Sequence, residues 1–267
     1  RDLNLTDFFF RYGLRINPVL VNDMYAAPIT LASGQDSGSQ YEHYPWFYAP
    51  LAMGTNKHPI VTNIEVVKFD FANAIEILNN EPEKTVLLHS SPFTKLNGIP
   101  REISLDEIDT NIETINKGPD PERFSAGQVP LAVLLEGNFT SVFKNRLKPF
   151  KFENTLEESV ATKMIVISDG DVIKNQLQGR RPVELGFDKR TNTRYGNKDF
   201  LLNAVNYLLD DNGLINIRSK EIAVPFLDPT KVAVQQTKWQ LLNILLPVAF
   251  LLLFGIAFQW VRKKQNT

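Results

Sequence analysis

Residues 161–171 read ATKMIVISDGD, an apolar run that stops at Asp169-Gly170-Asp171. Met164 to Val166 and Ile167 follow one another without a polar break, three of the four are β-branched, and a turn pair ends them. That is the pattern of a central, buried strand. Two similar runs lie upstream, Val129–Leu135 (VPLAVLL) and Lys84–His89 (KTVLLH). Further toward the N-terminus, Pro18–Asp23, Trp46–Met53 and Ile60–Val67 also read as strands. Helical spacing is read in Phe71–Leu78 and in Asp199–Leu209, where Phe200, Leu201, Ala204, Val205 and Leu208 share a face. Leu5–Tyr12 reads as a short helix that ends at Gly13. Between these elements, Ser33–His43 is a loop rich in Gly, Ser and Gln, and Ile99–Phe124 and Pro149–Val160 are polar excursions. Short apolar strands separated by helical or polar connections predict an α/β domain with a largely parallel sheet and flanking helices.

If the sheet is parallel, the segment ISDGDVI at 167–173 closes a strand where the ligand crevice would lie. Asp169 and Asp171 are then candidates for holding a divalent cation or another ligand. The simpler reading is a helix start: Asp169 caps the turn that begins near Asp171, and Gly170 makes the tight bend.

Other chemistry finds little material. The chain has no cysteine, so disulfides, thiolate metal sites and thiol nucleophiles are excluded together. Its three histidines, His43, His58 and His89, lack metal-ligand spacing such as HExxH. Ser90 and Ser91 follow a strand but lie in no GxSxG elbow. They read as turn residues, with a tethered hydrolase using them and His89 as the alternative. No glycine-rich phosphate loop is present, and no cofactor is implied. Trp46 and Tyr48 belong to an aromatic group with Tyr41, Tyr44 and Phe47 that fits either a core or a face for a partner or a sugar. Arg180 and Arg181, with Lys189, Arg190 and Arg194 nearby, form a basic loop that is either solvated or set to meet anionic headgroups or an acidic partner.

Beyond the domain, residues 241–261 read LLNILLPVAFLLLFGIAFQWV, 21 residues with no charge. A helix of that length is about 31 Å long and matches a hydrocarbon core of about 30 Å. Trp239 and Trp260 flank it as interfacial aromatics would. Arg262, Lys263 and Lys264 follow directly, which favours a cytoplasmic C-terminus and an extracytoplasmic domain. The expected division is a domain at 1–236, a membrane helix at 237–261 and a tail at 262–267. Three of the 29 basic residues and none of the 30 acidic ones follow position 240, leaving 26 basic against 30 acidic groups before it. A net charge of −4 there gives no basic face for nucleic acid. The chain begins with Arg1 rather than Met, which fits either a processed start or, the favoured reading, a fragment of a longer chain.

Four segments carry a family resemblance in order: YGLRINPVLVND (12–23), VPLAVLLEGNFTSVFKNRL (129–147), ISDGDVIKNQ (167–176) and GNKDFLLNAVNYLLDD (196–211). With the closing apolar helix, they resemble the gliding-associated ABC transporter auxiliary components, the GldG family of Bacteroidetes-type bacteria. The likeness covers nearly the whole chain. It implies a non-catalytic accessory subunit in the inner membrane, with a periplasmic domain of flavodoxin-like or glutaminase-like layout. It also implies a separate permease and a separate ATPase as partners, a link to gliding or protein secretion, and no catalytic residues. Homodimer formation is left open. In such an assembly Asn243, Gly255 and Gln259 would be the polar or close contacts of the membrane helix.

Overall fold

The computed structural model describes residues 5–33, 40–54, 58–80, 82–118, 120–148, 156–210 and 229–265. The chain divides into two units, Arg1–Lys220 and Glu221–Thr267.

In the first unit the apolar runs do form strands, but each pair they make among the described residues is antiparallel. The largely parallel α/β layout expected from the sequence is therefore incorrect. The strands are β1 (Leu14–Asp23), β2 (Ala26–Ser33), β3 (Gln40–Gly54), β4 (Val67–Lys68), β5 (Asn73–Ile77), β6 (Glu83–His89), β7 (Thr94–Gly98), β8 (Pro130–Gly137) and β9 (Thr162–Ile167). A six-stranded sheet runs β2-β3-β6-β8-β9 with β4 paired to β3, and a three-stranded sheet runs β5-β1-β7. Two small hairpins follow, β10 (Leu177–Gln178) with β11 (Arg181–Pro182) and β12 (Phe187–Asp188) with β13 (Thr193–Arg194). Helices are few: α1 (Thr6–Arg11), α2 (Glu107–Lys117) and α3 (Asn197–Leu209).

Two-sided burial explains why the runs looked parallel. Strand β8 sends Leu131 and Leu134 into a cluster with Val21 and Phe200, and Val133 and Leu135 into a second cluster with Tyr12, Leu14 and Ile75. A central antiparallel strand covered on both faces loses the apolar–polar alternation that usually marks antiparallel pairing. Register is regular against β9, with Ala132 opposite Ile167 and Gly137 opposite Thr162, whereas against β6 it shifts around Leu88.

Several local expectations shift. Phe71–Leu78, expected as a helix, contains strand β5, because Asn73–Ile77 pairs with β1. Ile60–Val67, expected as a strand, is turn over 60–63 and irregular over 64–66, with only Val67 in β4, although Ile60 and Val61 are still buried. Gln40–His43 belongs to β3 rather than to a loop, and the rest of that loop, 34–39, lies outside the described residues. The polar excursion Ile99–Phe124 holds α2, and Ala26–Ser33 and Thr94–Gly98 add two strands. Residues 149–155 of the second excursion also lie outside the described residues. Pro18 is tolerated in β1 because the register slips between Ile16 and Leu20, so no ladder bond is asked of it.

The second unit contains α4, Pro229–Gln265. Its segment Lys238–Ile256 has a mean hydropathy of 2.1 with none of it buried within the protein, so it is long and apolar enough to cross a membrane. Pro247 lies inside the helix, which continues through it.

Candidate functional site

The loop after β9 behaves as a tie. Asp169 accepts the Asp70 amide at one oxygen and the Asp171 amide at the other, both at 2.7 Å. These bonds set the single 3₁₀ turn Asp171–Ile173, whose Val172 is buried. Burial pushes the Asp169 carboxyl above the ordinary carboxylate range, against the pull of the two amides. Asp171 is exposed and pairs with Lys174 at 3.2 Å. Among the described residues, no group of three or more His, Asp or Glu side chains is arranged to hold a metal ion.

Beside this turn lies a cleft of about 200 Å³. Lys68 and Asp70 form one wall, Asp171 and Lys174 another, and Phe187, Asp188, Tyr195 and Asn197 complete it. Asn197, at the start of α3, holds the walls together. Its amide nitrogen donates to the carbonyls of Lys68 (2.8 Å) and Val172 (3.2 Å), and its oxygen accepts the Lys68 amide at 3.0 Å. Gly196 lets this happen. A Cβ there would stand 2.1 Å from the Glu65 carbonyl oxygen, and the Gly196 amide donates to Val66 at 2.8 Å.

Charge in the cleft is mostly paired. Lys68 meets Asp70 at 3.5 Å, and burial still pushes the Asp70 carboxyl above its ordinary range. Asp188 is only 7% exposed and accepts the Arg190 amide at 2.9 Å. The Tyr195 hydroxyl is pushed up first by burial and then by Asp188 and Asp70. Sequence reasoning picked out Asp171 on this wall but missed Lys68, Asp70, Asp188 and Asn197. The available signal was Gly196-Asn197, a glycine and a carboxamide opening a helix inside a family segment.

The other predicted residues lie elsewhere. Trp46 and Tyr48 are 7% and 0% exposed, so neither ring offers a face to a sugar from solvent. The Tyr48 hydroxyl donates to Glu107 Oε2 (3.0 Å) and accepts from Arg101 Nε (3.0 Å) and Asn97 Nδ2 (3.3 Å). Arg180 and Arg181 are exposed at the β10–β11 hairpin, whose turn has Gly179 at φ +65° in its first central position, as a type II′ turn requires. The remaining basic residues of that region serve the fold: Arg190 donates to the Thr30 carbonyl, Lys189 to that of Leu177, and Arg194 pairs with Glu184 at 2.7 Å. On α4, Asn243 and Gly255 are exposed, and Gln259 lies on the same helix.

His89, Ser90 and Ser91 belong to a buried knot. Asp23, fully buried, accepts the Ser91 amide (2.7 Å), the Ser91 hydroxyl (2.5 Å) and the Tyr25 amide (2.9 Å). Ser90 Oγ accepts from Val129 N (2.9 Å) and Thr94 Oγ1 (2.8 Å). His89 Nδ1 lies 2.6 Å from the Ser90 carbonyl oxygen, so that nitrogen carries the proton and cannot accept one from a serine. Neither serine reaches solvent, and a nucleophile needs access and a base.

A family model described as an ABC-type uncharacterized transport system matches residues 1–204. No curated protein and no solved structure matches the chain.

Proposed function

The chain belongs to the auxiliary family of ABC-type transport systems, and from that membership we propose that it is a non-catalytic accessory subunit, tethered by α4, whose folded unit works outside the cytoplasm. The observation that carries this reading is the pairing of the family match with a helix able to span a bilayer. Arg262 and the two lysines after it support that orientation: a cationic flank tends to be retained on the cytoplasmic side, which favours residues 1–236 in the periplasm. The chain has no nucleotide-binding glycine loop, so the energy of transport comes from a separate ATPase acting with a permease. Asn243, Gly255 and Gln259 are the groups through which the helix packs on that permease, since small and polar residues mediate helix contacts in lipid. Arg180 and Arg181 at the hairpin tip meet an acidic surface of the complex. Gliding or protein secretion is the cellular process that the segments at 12–23, 129–147, 167–176 and 196–211 suggest.

The test is extraction in mild detergent from cells carrying a tagged full-length chain. Recovery with one permease and one ATPase is expected, and replacing Asn243 with Leu should lower that recovery. Repeated isolation of the chain alone, under conditions that keep other ABC complexes intact, would overturn the reading.

A further inference from the structure

The cleft beside Asp188 has an unbalanced charge. Lys68 and Asp70 offset one another at 3.5 Å, and Lys174 and Asp171 at 3.2 Å. Asp188 has no such partner: among the described residues no cationic group comes within ion-pair distance of it. The nearest candidates in sequence are engaged elsewhere: Lys189 sends its ammonium to the Leu177 carbonyl, and Arg190 gives Asp188 only its backbone amide and sends its guanidinium to the Thr30 carbonyl. A carboxylate withdrawn from water without a countercharge is costly to a fold. Here it is not sealed in, because Asp188 lines a cleft that opens to solvent. Tyr195 and Phe187 also line the cleft, the Phe187 ring already holding the Arg194 guanidinium 6.0 Å from its centroid, and such aromatic groups favour an organic cation over a hydrated metal ion.

Size narrows the ligand. At about 200 Å³ the cleft is below the 300–1,000 Å³ typical of small-molecule sites. It suits the head of one side chain better than a whole metabolite.

We infer that this cleft receives the cationic head of a Lys or Arg side chain presented by another polypeptide, with Asp188 as its countercharge and the Phe187 and Tyr195 rings beside it. The inference does not depend on the transporter reading, since it rests on the charge and size of the cleft alone. Lys174 competes with the incoming cation for the same field, so its removal should strengthen binding.

The experiment uses the full chain in detergent micelles and titration calorimetry. The probes are a blocked Gly-Lys-Gly peptide, the same peptide with norleucine in place of Lys, and methylammonium. Saturable binding of the lysine peptide is expected, with none for the norleucine peptide. Asp188→Asn should weaken binding roughly tenfold or more, and Lys174→Ala should tighten it about threefold. Equal binding of both peptides, or unchanged affinity in Asp188→Asn, would overturn the inference. If Asp188→Asn does not fold, Lys174→Ala decides, because it changes an exposed side chain, and unchanged affinity there also overturns it. Methylammonium binding as tightly as the lysine peptide would overturn the polypeptide source. A failure of any of these arms leaves copurification with a permease untouched, so the two readings fall separately.

Discussion

Asp23 and Asp188 are both carboxylates withdrawn from water, and the fold treats them differently. Asp23 is fully buried and satisfied by the Ser91 amide and hydroxyl and the Tyr25 amide. Around it Ser90, Thr94 and the Val129 amide close the remaining bonds. Among the described residues Asp188 has one amide, no cation, and a wall of the cleft. A polar group whose bonds are complete holds strands together, whereas one left partly unanswered beside open space is available to something else. Composition alone would have ranked the two in the opposite order, because the first lies among Ser, His and Asp, the residue types of acyl-transfer chemistry.

The largest expected effect breaks the comparison most directly. Asp23→Ala leaves two amides and a hydroxyl in a dry site without an acceptor, at about 1–3 kcal/mol for each group left unsatisfied. We expect a loss of about 3 kcal/mol or more in urea unfolding, with an unchanged slope. Asp188→Asn keeps a carbonyl oxygen for the Arg190 amide and should cost less than about 1 kcal/mol. If the second variant were as unstable as the first, Asp188 would be another structural tie and the contrast would collapse.

Gly196→Ala comes next. The new methyl group would meet the Glu65 carbonyl at 2.1 Å, a backbone atom that cannot rotate away. Overpacking of this kind costs typically about 1–3 kcal/mol. The variant should also lose the peptide binding assigned to the cleft, because Asn197 ties its walls and sits one residue along. Full stability with intact binding would show that α3 tolerates a shift at its start.

What the sequence made legible was elements more than their arrangement. Lys84–His89, Val129–Leu135 and Ala161–Ser168 contain strands because short apolar runs between turn residues have few other uses. Their direction was not legible, since burial on both faces erases the alternation that separates antiparallel from parallel strands. Phe71, Ile75 and Leu78 are spaced for a helix, yet pairing of Ile75 and Ile77 with β1 prevails, a tertiary contact that no local window contains. Asp169 and Asp171 stood out at a strand end, and both turned out to be adjacent to the cleft. Asp188 did not stand out, because its burial depends on a hairpin closing against Tyr195, and its neighbours Lys189 and Arg190 made the stretch look solvated.

The smallest effect sharpens the comparison, because Asp70 lies between the two extremes: it has a cation nearby and is still partly desolvated. Burial raises its carboxyl above the ordinary range more than Lys68 lowers it. A carboxyl whose pKa is raised in the folded state binds protons more readily there than in the unfolded chain. Its contribution to stability is therefore present below about pH 4, the ordinary carboxylate value, and is lost as pH rises through the folded value. Asp70→Asn has no such group, so its stability relative to the parent should improve as pH is raised from about 4 to 7. Asp23, whose carboxyl is also raised, is common to both proteins and cancels in the difference, whereas Asp169 is raised in part by the Asp70 charge, so its relief in the variant adds to the same trend. If the relative stability of the variant instead fell over that range, the Lys68 ion pair would outweigh desolvation. Asp70 would then be a stabilising partner of Lys68, standing with Asp23 rather than between Asp23 and Asp188.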